Sequence, residues 1–192
     1  MSDSTNAAPP VAITLLQQRT IEAKIVGPLI QGFAQAFGTE QTLRVVSEVI
    51  KELARTAGAE FARQLGEASL TGFAACLDTW RAGDAIELDI LRSDNERLEF
   101  NVTRCRFAEM YRALGLEDLG AALSCTRDFA LVEGFNPAIR LERTQTIMEG
   151  ATHCDFRFQS QNPNDGEAGC DASAPRAVKS DAQPADLSDI AG

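Results

Sequence analysis

The chain is short of positive charge, of long apolar runs, of histidine and of paired cysteines, and each shortage closes off a class of function. Its 192 residues carry 18 Lys and Arg against 28 Asp and Glu, a formal charge of −10. Neutralising phosphates needs a basic surface, so no nucleic-acid partner is expected. The same balance argues against attraction to an anionic lipid surface. No uncharged apolar run approaches the roughly 18 residues that would cross a bilayer, so no membrane partner is expected either. Residues Met1 to Val11 have neither a basic n-region nor an apolar h-region, which predicts no secretory signal. A soluble, cytoplasmic protein is the expectation. No internal repeat is visible.

Chemistry is narrowed in the same way. There is no P-loop, no GxGxxG after a strand, no GxSxG and no HExxH. His153 is the only histidine, which excludes His-rich metal sites and makes it the one route for Ser–His or Cys–His catalysis. The five cysteines, Cys76, Cys105, Cys125, Cys154 and Cys170, are an odd number with no CxxC. In a reducing cytoplasm they should be free thiols. No cofactor is implied.

What is present is one domain. Hydrophobic residues make up 44%, enough for an ordinary core. Residues 1–12 are Ser-, Ala- and Pro-rich without apolar period. Residues 159–192 are rich in Asp, Ala, Ser, Gln and Pro, and bury too little to offset their ordering entropy. Both ends read as disordered, the second as an acidic tail carrying Cys170. A single domain over residues 13–158 remains.

The first half reads as helix. Ile21, Ile25, Leu29, Phe33 and Phe37 recur every four residues in one stripe, with a kink or break expected at Pro28 and a stop at Gly38. A second helix starts near Thr39. Leu43, Val46, Val49, Ile50, Leu53, Phe61 and Leu65 are its expected buried face, and Gly66 closes it. Ser69 caps a third helix through Trp80. The period then changes to two. Ile86, Leu88 and Ile90 alternate with acids, Ser93–Glu96 turn, and Leu98, Phe100 and Val102 return as a second strand. Helices over Phe107–Leu114 and Asp118–Glu133 follow, then a strand through Ile139–Ile147 and another over Thr152–Phe158. The fold class is α+β: N-terminal helices, then an antiparallel sheet from two β-hairpins with an inserted helix pair. The middle helices are apolar enough to pack a homo-oligomer.

The cysteines and their polar neighbours are the remaining chemistry. On a regular strand Asn101, Thr103 and Cys105 share one face, the floor of a polar pocket, with Phe100 and Val102 on the other. Cys125 and Asp128 are three apart on a helix and share a face. A carboxylate there would raise the thiol's pKa, which suits an acid or base better than an activated thiolate. His153, Asp155 and Arg157 point away from Cys154, Phe156 and Phe158, so neighbouring His153 and Cys154 are no hydrogen-bonded pair. Arg140 and Arg143 could fork onto a carboxylate. Cys105, Cys125 and Cys154 with an acid could also form a zinc site, although the usual close cysteine pair is missing.

Together these residues resemble a known family. Asn101-Val102-Thr103-Arg104-Cys105, Ser124-Cys125 with Asp128, Gly134-Phe135-Asn136-Pro137, Arg143-Thr144-Gln145-Thr146 and, after Gly150, His153-Cys154-Asp155-Phe156-Arg157 look like the L-2-amino-thiazoline-4-carboxylic acid hydrolases, over roughly residues 15–158. The resemblance implies hydrolytic opening of a cyclic isothiourea that bears a carboxylate, giving N-carbamoyl-L-cysteine. The electrophile is the carbon between nitrogen and sulfur, attacked by a thiolate or by base-activated water. Cys105, Cys125 and Cys154 are the candidate thiols, and Asp128, Asp155 and His153 the candidate acid–base groups. Asn101, Thr103, Arg143 and Thr146 are the candidate substrate contacts, with Arg143 for the carboxylate. A thiol nucleophile at Cys105 would make Cys105→Ser inactive. The alternative is a small-ligand-binding or cysteine-metal sensor module without turnover.

Overall fold

A capping box starts the first helix: Thr14 Oγ1 accepts from Gln17 N–H at 3.2 Å, and Gln17 Oε1 accepts from Thr14 N–H at 2.8 Å. The computed structural model describes residues 13–161. Residues 1–12 and 162–192, including most of the expected tail and Cys170, lie outside the described residues. The expected tail's first residues do not: Gln159 and Ser160 belong to the last strand.

Helix α1 spans Leu15–Phe37 and α2 spans Thr39–Leu65, joined through Gly38 at φ 89°. Of the kink or break expected at Pro28, the break does not occur: helix α1 runs on through the proline. Ala23, Gly27 and Ile30, on both sides of the proline, are buried, and Leu116 presses on Gly27 where a side chain would stand. This packing outweighs one lost backbone bond. Gly66, left-handed at φ 71°, ends α2 as expected. The expected third helix divides into α3 (Leu70–Phe73) and α4 (Cys76–Arg81), because a tight bond from Ala75 N–H to Gly72 O interrupts it.

Strands β1 (Ile86–Ser93) and β2 (Arg97–Cys105) form the first hairpin. Asp94 closes its turn by accepting from the N–H groups of Glu96 and Arg97. Helices α5 (Arg106–Ala113), α6 (Glu117–Gly120) and α7 (Arg127–Phe135) follow, with a π-helical turn over Ala121–Cys125 between the last two. Then come β3 (Ile139–Glu142) and β4 (Cys154–Ser160). The strand expected through Ile147 stops at Glu142. Asp155 of β4 explains this: its carboxylate accepts from the N–H groups of Thr144 and Gln145 and from the Thr144 hydroxyl. A side chain thus replaces the ladder and draws the chain out of the sheet. The 3₁₀ turn Ile147–Glu149 follows, capped by Thr146.

The sheet is antiparallel throughout, in the order β1-β2-β4-β3. The fold is α+β. Phe100 pairs with Phe156 and Leu98 with Phe158, so all four share a face. Helices cover that face. Phe73 lies 5.1 Å from both Phe158 and Phe135 by ring centroids. Helices α2 and α7 cross where Gly58 meets the Leu131 carbonyl and Gly134 meets the Arg55 carbonyl, a backbone approach that leaves no room for a Cβ. Of the expected α2 face, Ile50 is buried and Leu43, Val46 and Phe61 half-buried, but Val49, Leu53 and Leu65 are exposed. The whole α1 stripe of Ile21, Ile25, Leu29, Phe33 and Phe37 is exposed too. Its four-residue spacing is real, but α1 turns its smaller residues to the core.

Candidate functional site

A cavity of about 280 Å³ lies between the inner sheet face, α1, α2, α4 and the start of α7. That is the small end of ligand-cavity sizes. Four cysteines from four elements line it: Cys76 of α4, Cys105 ending β2, Cys125 ending the π turn and Cys154 opening β4. All four are free thiols. Trp80, Phe107 and Phe156 supply apolar wall.

Cys105 reaches the cavity through a bulge. Leu88 pairs with Val102, but Glu87 pairs with Arg104 and Ile86 with Cys105, leaving Thr103 without a partner. One extra residue reverses the alternation beyond it. Cys105 therefore returns to the face of Val102, and the polar floor expected from Asn101, Thr103 and Cys105 does not form. Asn101 instead accepts from Arg157 Nη2 at 2.9 Å, and exposed Thr103 donates to the Glu87 carbonyl. Neither lines the cavity. Nor do Arg104, paired with Glu109 and Glu87, or Arg106, donating to Gly83 O.

The polar heart of the cavity is Asp128 with Arg143. The two form a close ion pair, and Arg143 Nη2 also donates to the Cys125 carbonyl at 3.0 Å. The guanidinium lies 5.0 Å from the Phe129 ring centre and 5.1 Å from that of Phe156. With its side chain only 7% exposed, Arg143 is held by its neighbours on several sides. Burial pushes the Asp128 carboxyl up to about 6, although the charge and hydrogen bond of Arg143 work against the rise. Burial likewise raises Cys105 to about 11 and Cys125 to about 12, and Asp128's charge adds to the latter. Cys76 and Cys154 are raised too, first by burial. Near neutral pH all four thiols keep their protons, while Asp128 is poised to exchange one.

Two further arginines line the cavity, and the sequence reading missed both as site residues. Arg19 of α1 donates to Glu22 at 2.6 Å, and Arg127 donates to the Leu123 carbonyl with Glu22 3.9 Å away. Burial, and then the charge of Arg19, lower the pKa of Arg127. Burial opposes charge on Glu22, but Arg19 more than compensates and holds it low. The lining charges are thus three arginines and Asp128, with Glu22 behind: a surplus of one positive charge in an acidic chain. Arg127 stands within the conspicuous run Ser124–Asp128. Arg19, in an ordinary amphipathic helix, gives no local signal. Cys76, which the sequence reading counted but gave no role, also gives none.

The other expected site residues lie outside this cavity. His153 rests against Gln145, whose Nε2 is 3.1 Å from its Nε2 and 3.2 Å from its Nδ1. Burial opposes charge on Asp155, but its hydrogen bonds from Thr144 and Gln145 outweigh this and hold the carboxyl low. Buried Thr146 caps the 3₁₀ turn by accepting from Glu149 N–H. Arg140 pairs with Glu142 on the surface. Among the described residues, no three His, Cys, Asp or Glu side chains stand close enough to hold a metal ion. The metal reading of Cys105, Cys125 and Cys154 is corrected accordingly. Among the same residues, no helix is long and apolar enough to cross a membrane.

Comparison with known proteins gives a family. No curated protein matches the chain significantly. A crystal structure of the phenol-responsive sensory domain of the transcription activator PoxR with phenol is similar at a TM-score of 0.46 and 16% identity, over 74% of this chain and 77% of that one. The family model of L-2-amino-thiazoline-4-carboxylic acid hydrolase matches residues 18–158, nearly the whole described domain, and the chain belongs to that family.

Proposed function

We propose that the cavity hydrolyses a small cyclic isothiourea or amidine carrying a carboxylate, with Asp128 as general base and water as nucleophile. The observation that carries this is the Asp128–Arg143 pair: a half-buried carboxylate raised to about 6 on the wall of a small cavity. Asp128 takes a proton from water as its oxygen attacks the carbon between nitrogen and sulfur. The C=N electron pair moves to the ring nitrogen, which takes that proton from Asp128. The C–S bond then breaks as C=O forms, and the remaining hydroxyl proton passes through Asp128 to the leaving sulfur. The product is a urea bearing a free thiol. A raised carboxyl near the working pH both accepts and returns the proton well. Arg143 keeps Asp128 aimed and lets it ionise. Arg143 is committed to Asp128 and the Cys125 carbonyl, so the substrate carboxylate goes to Arg127 and Arg19, where two arginines share one carboxylate, Glu22. The protonated thiols give the ring sulfur a soft, polarisable wall.

A second reading, ligand capture without turnover, is favoured by the predominantly apolar lining. One experiment separates the two. Purified wild type and Asp128→Asn are incubated with L-2-amino-thiazoline-4-carboxylic acid, and N-carbamoyl-cysteine is followed by mass spectrometry. Product from wild type alone supports the hydrolase. Saturable binding without product from either chain supports capture.

A further inference from the structure

The two longest helices each carry an apolar stripe that nothing among the described residues covers. On α1 it is Ile21, Ile25, Leu29, Phe33 and Phe37; on α2 it is Val45, Val49 and Leu53. Every one of these eight side chains is at least 52% exposed. The core side of the same helices is made of Ala23, Gly27 and Ile30, and of Thr42, Ile50, Ala54 and Gly58. Both helices thus turn most of their bulky residues outward, in spacings of four that keep each stripe on one side. The helices are neighbours. Ile30 shares a buried cluster with Ile50, and Arg19 and Ala57 meet at the same cavity.

We propose that α1 and α2 form a two-fold interface with a second copy of this chain. Area is the first argument. Eight such side chains about half exposed leave roughly 900 Å² of apolar surface, where a standard stable interface buries about 800 Å² per partner. A monomer's largest apolar patch is typically about 300–600 Å². Charge is the second. The chain carries −10, so two copies repel except where a face is neutral. This face is close to neutral. Its helices bear Arg19, Lys24, Arg44, Lys51, Arg55 and Arg63 against Glu22, Glu40, Glu48, Glu52 and Glu60, and no charge interrupts either stripe. A strongly acidic or basic partner finds no complement here, while an identical neutral face does. Shape is the third, because two neighbouring helices that each present an apolar stripe can meet their own copy as a four-helix layer. The middle helices, apolar enough by sequence to pack an oligomer, bury Phe107, Tyr111, Leu119 and Leu123 in the core.

Sedimentation of the full chain across the micromolar range tests this. Wild type should show twice the single-chain mass of 20.7 kDa, undiminished by high salt because the contact is apolar. Phe33→Glu and Val49→Glu should each weaken the dimer by more than about 30-fold, the size of an interface hot spot, with unchanged circular dichroism. Ile90→Glu, at the exposed end of edge strand β1, should leave it intact. A single-chain mass for wild type throughout that range overturns the proposal without need of any variant. So does a dimer that survives both α1 and α2 substitutions in folded protein, or one lost only in Ile90→Glu.

Discussion

The two faces of the sheet are built from alternate residues of the same strands and solve opposite problems. On the outer face Arg157 donates to the Phe100 and Phe156 carbonyls and to Asn101, and Asp155 gathers three donors from Thr144 and Gln145. Those groups satisfy one another. On the inner face Cys105, Cys154 and Phe156 border a cavity whose charges balance only in part, and whose one carboxylate is pushed up by burial. The richest polar cluster in the sequence, His153–Arg157, lies mostly on the first face. A dense polar run marks a place where the chain is pinned. A carboxylate held by one arginine in a largely apolar cavity marks a place where a proton can move.

The comparison breaks first at Asp128. Asp128→Asn should lower kcat by roughly 10²–10⁴-fold, the usual range for a lost general base. Far-ultraviolet circular dichroism checks that the fold persists. If kcat is unchanged, the inner face has no acid–base role.

The pH profile sharpens it. With Asp128 as base, kcat/KM should rise with pH through about 6 and then stay level to pH 9. A thiolate nucleophile would instead keep the rate climbing toward about 11, where Cys105 ionises. The same carboxyl fixes a sign for stability. Its folded pKa lies above its ordinary 3.8, so the folded chain holds the proton more tightly than the unfolded one. Asp128's contribution is therefore most favourable below pH 4 and is lost as pH rises through about 6. Denaturant melts of wild type and Asp128→Asn across that window should show the difference in slope.

A smaller effect is expected at Arg127. Arg127→Gln should raise KM for a carboxylate-bearing substrate by about tenfold and leave kcat nearly unchanged, one charge-assisted hydrogen bond being worth roughly 1.5–3 kcal/mol. Steady-state kinetics separates the two terms.

The outer face should answer in stability alone. Asp155→Ala strips three hydrogen bonds and should cost about 1–3 kcal/mol in a urea melt, with activity per folded molecule retained. Because Asp155 is held below its ordinary value, that stabilisation is present above pH 4 and fades as pH falls further. The least change is expected from His153→Ala, whose kcat should stay within about twofold, since its ring lies outside the cavity and hydrogen-bonds with Gln145 and Thr152. A large loss of activity there would move the chemistry to the outer face.

How much of this was legible depended on range along the chain. The capping of the third helix by Ser69, the stop at Gly66, the first hairpin and the sharing of one face by Cys154, Phe156 and Phe158 all follow from neighbours a few residues apart. The pairing of Cys125 with Asp128 was legible for the same reason, and both line the cavity. The bulge at Thr103 was not, because its cause is the register against β1 rather than any residue within β2. The early end of β3 was hidden too, since it is enforced by Asp155 more than ten residues away. The α1 stripe shows the limit of periodicity. Five apolar residues every four positions define a side of a helix, yet they do not say whether that side meets this chain's core.

By itself the sequence determined the α+β class, the order of helices and hairpins, and the family to which the chain belongs. These rest on local propensity, alternation and linear motif, which are properties of neighbouring residues. Only the tertiary structure decided that four scattered cysteines share one cavity, that Arg143 is engaged by Asp128, and that Arg19 and Arg127 stand in the same cavity wall. Burial and the arrival of a distant charge set those outcomes. Both depend on what the rest of the chain brings alongside, which the spacing of residues along the sequence does not encode.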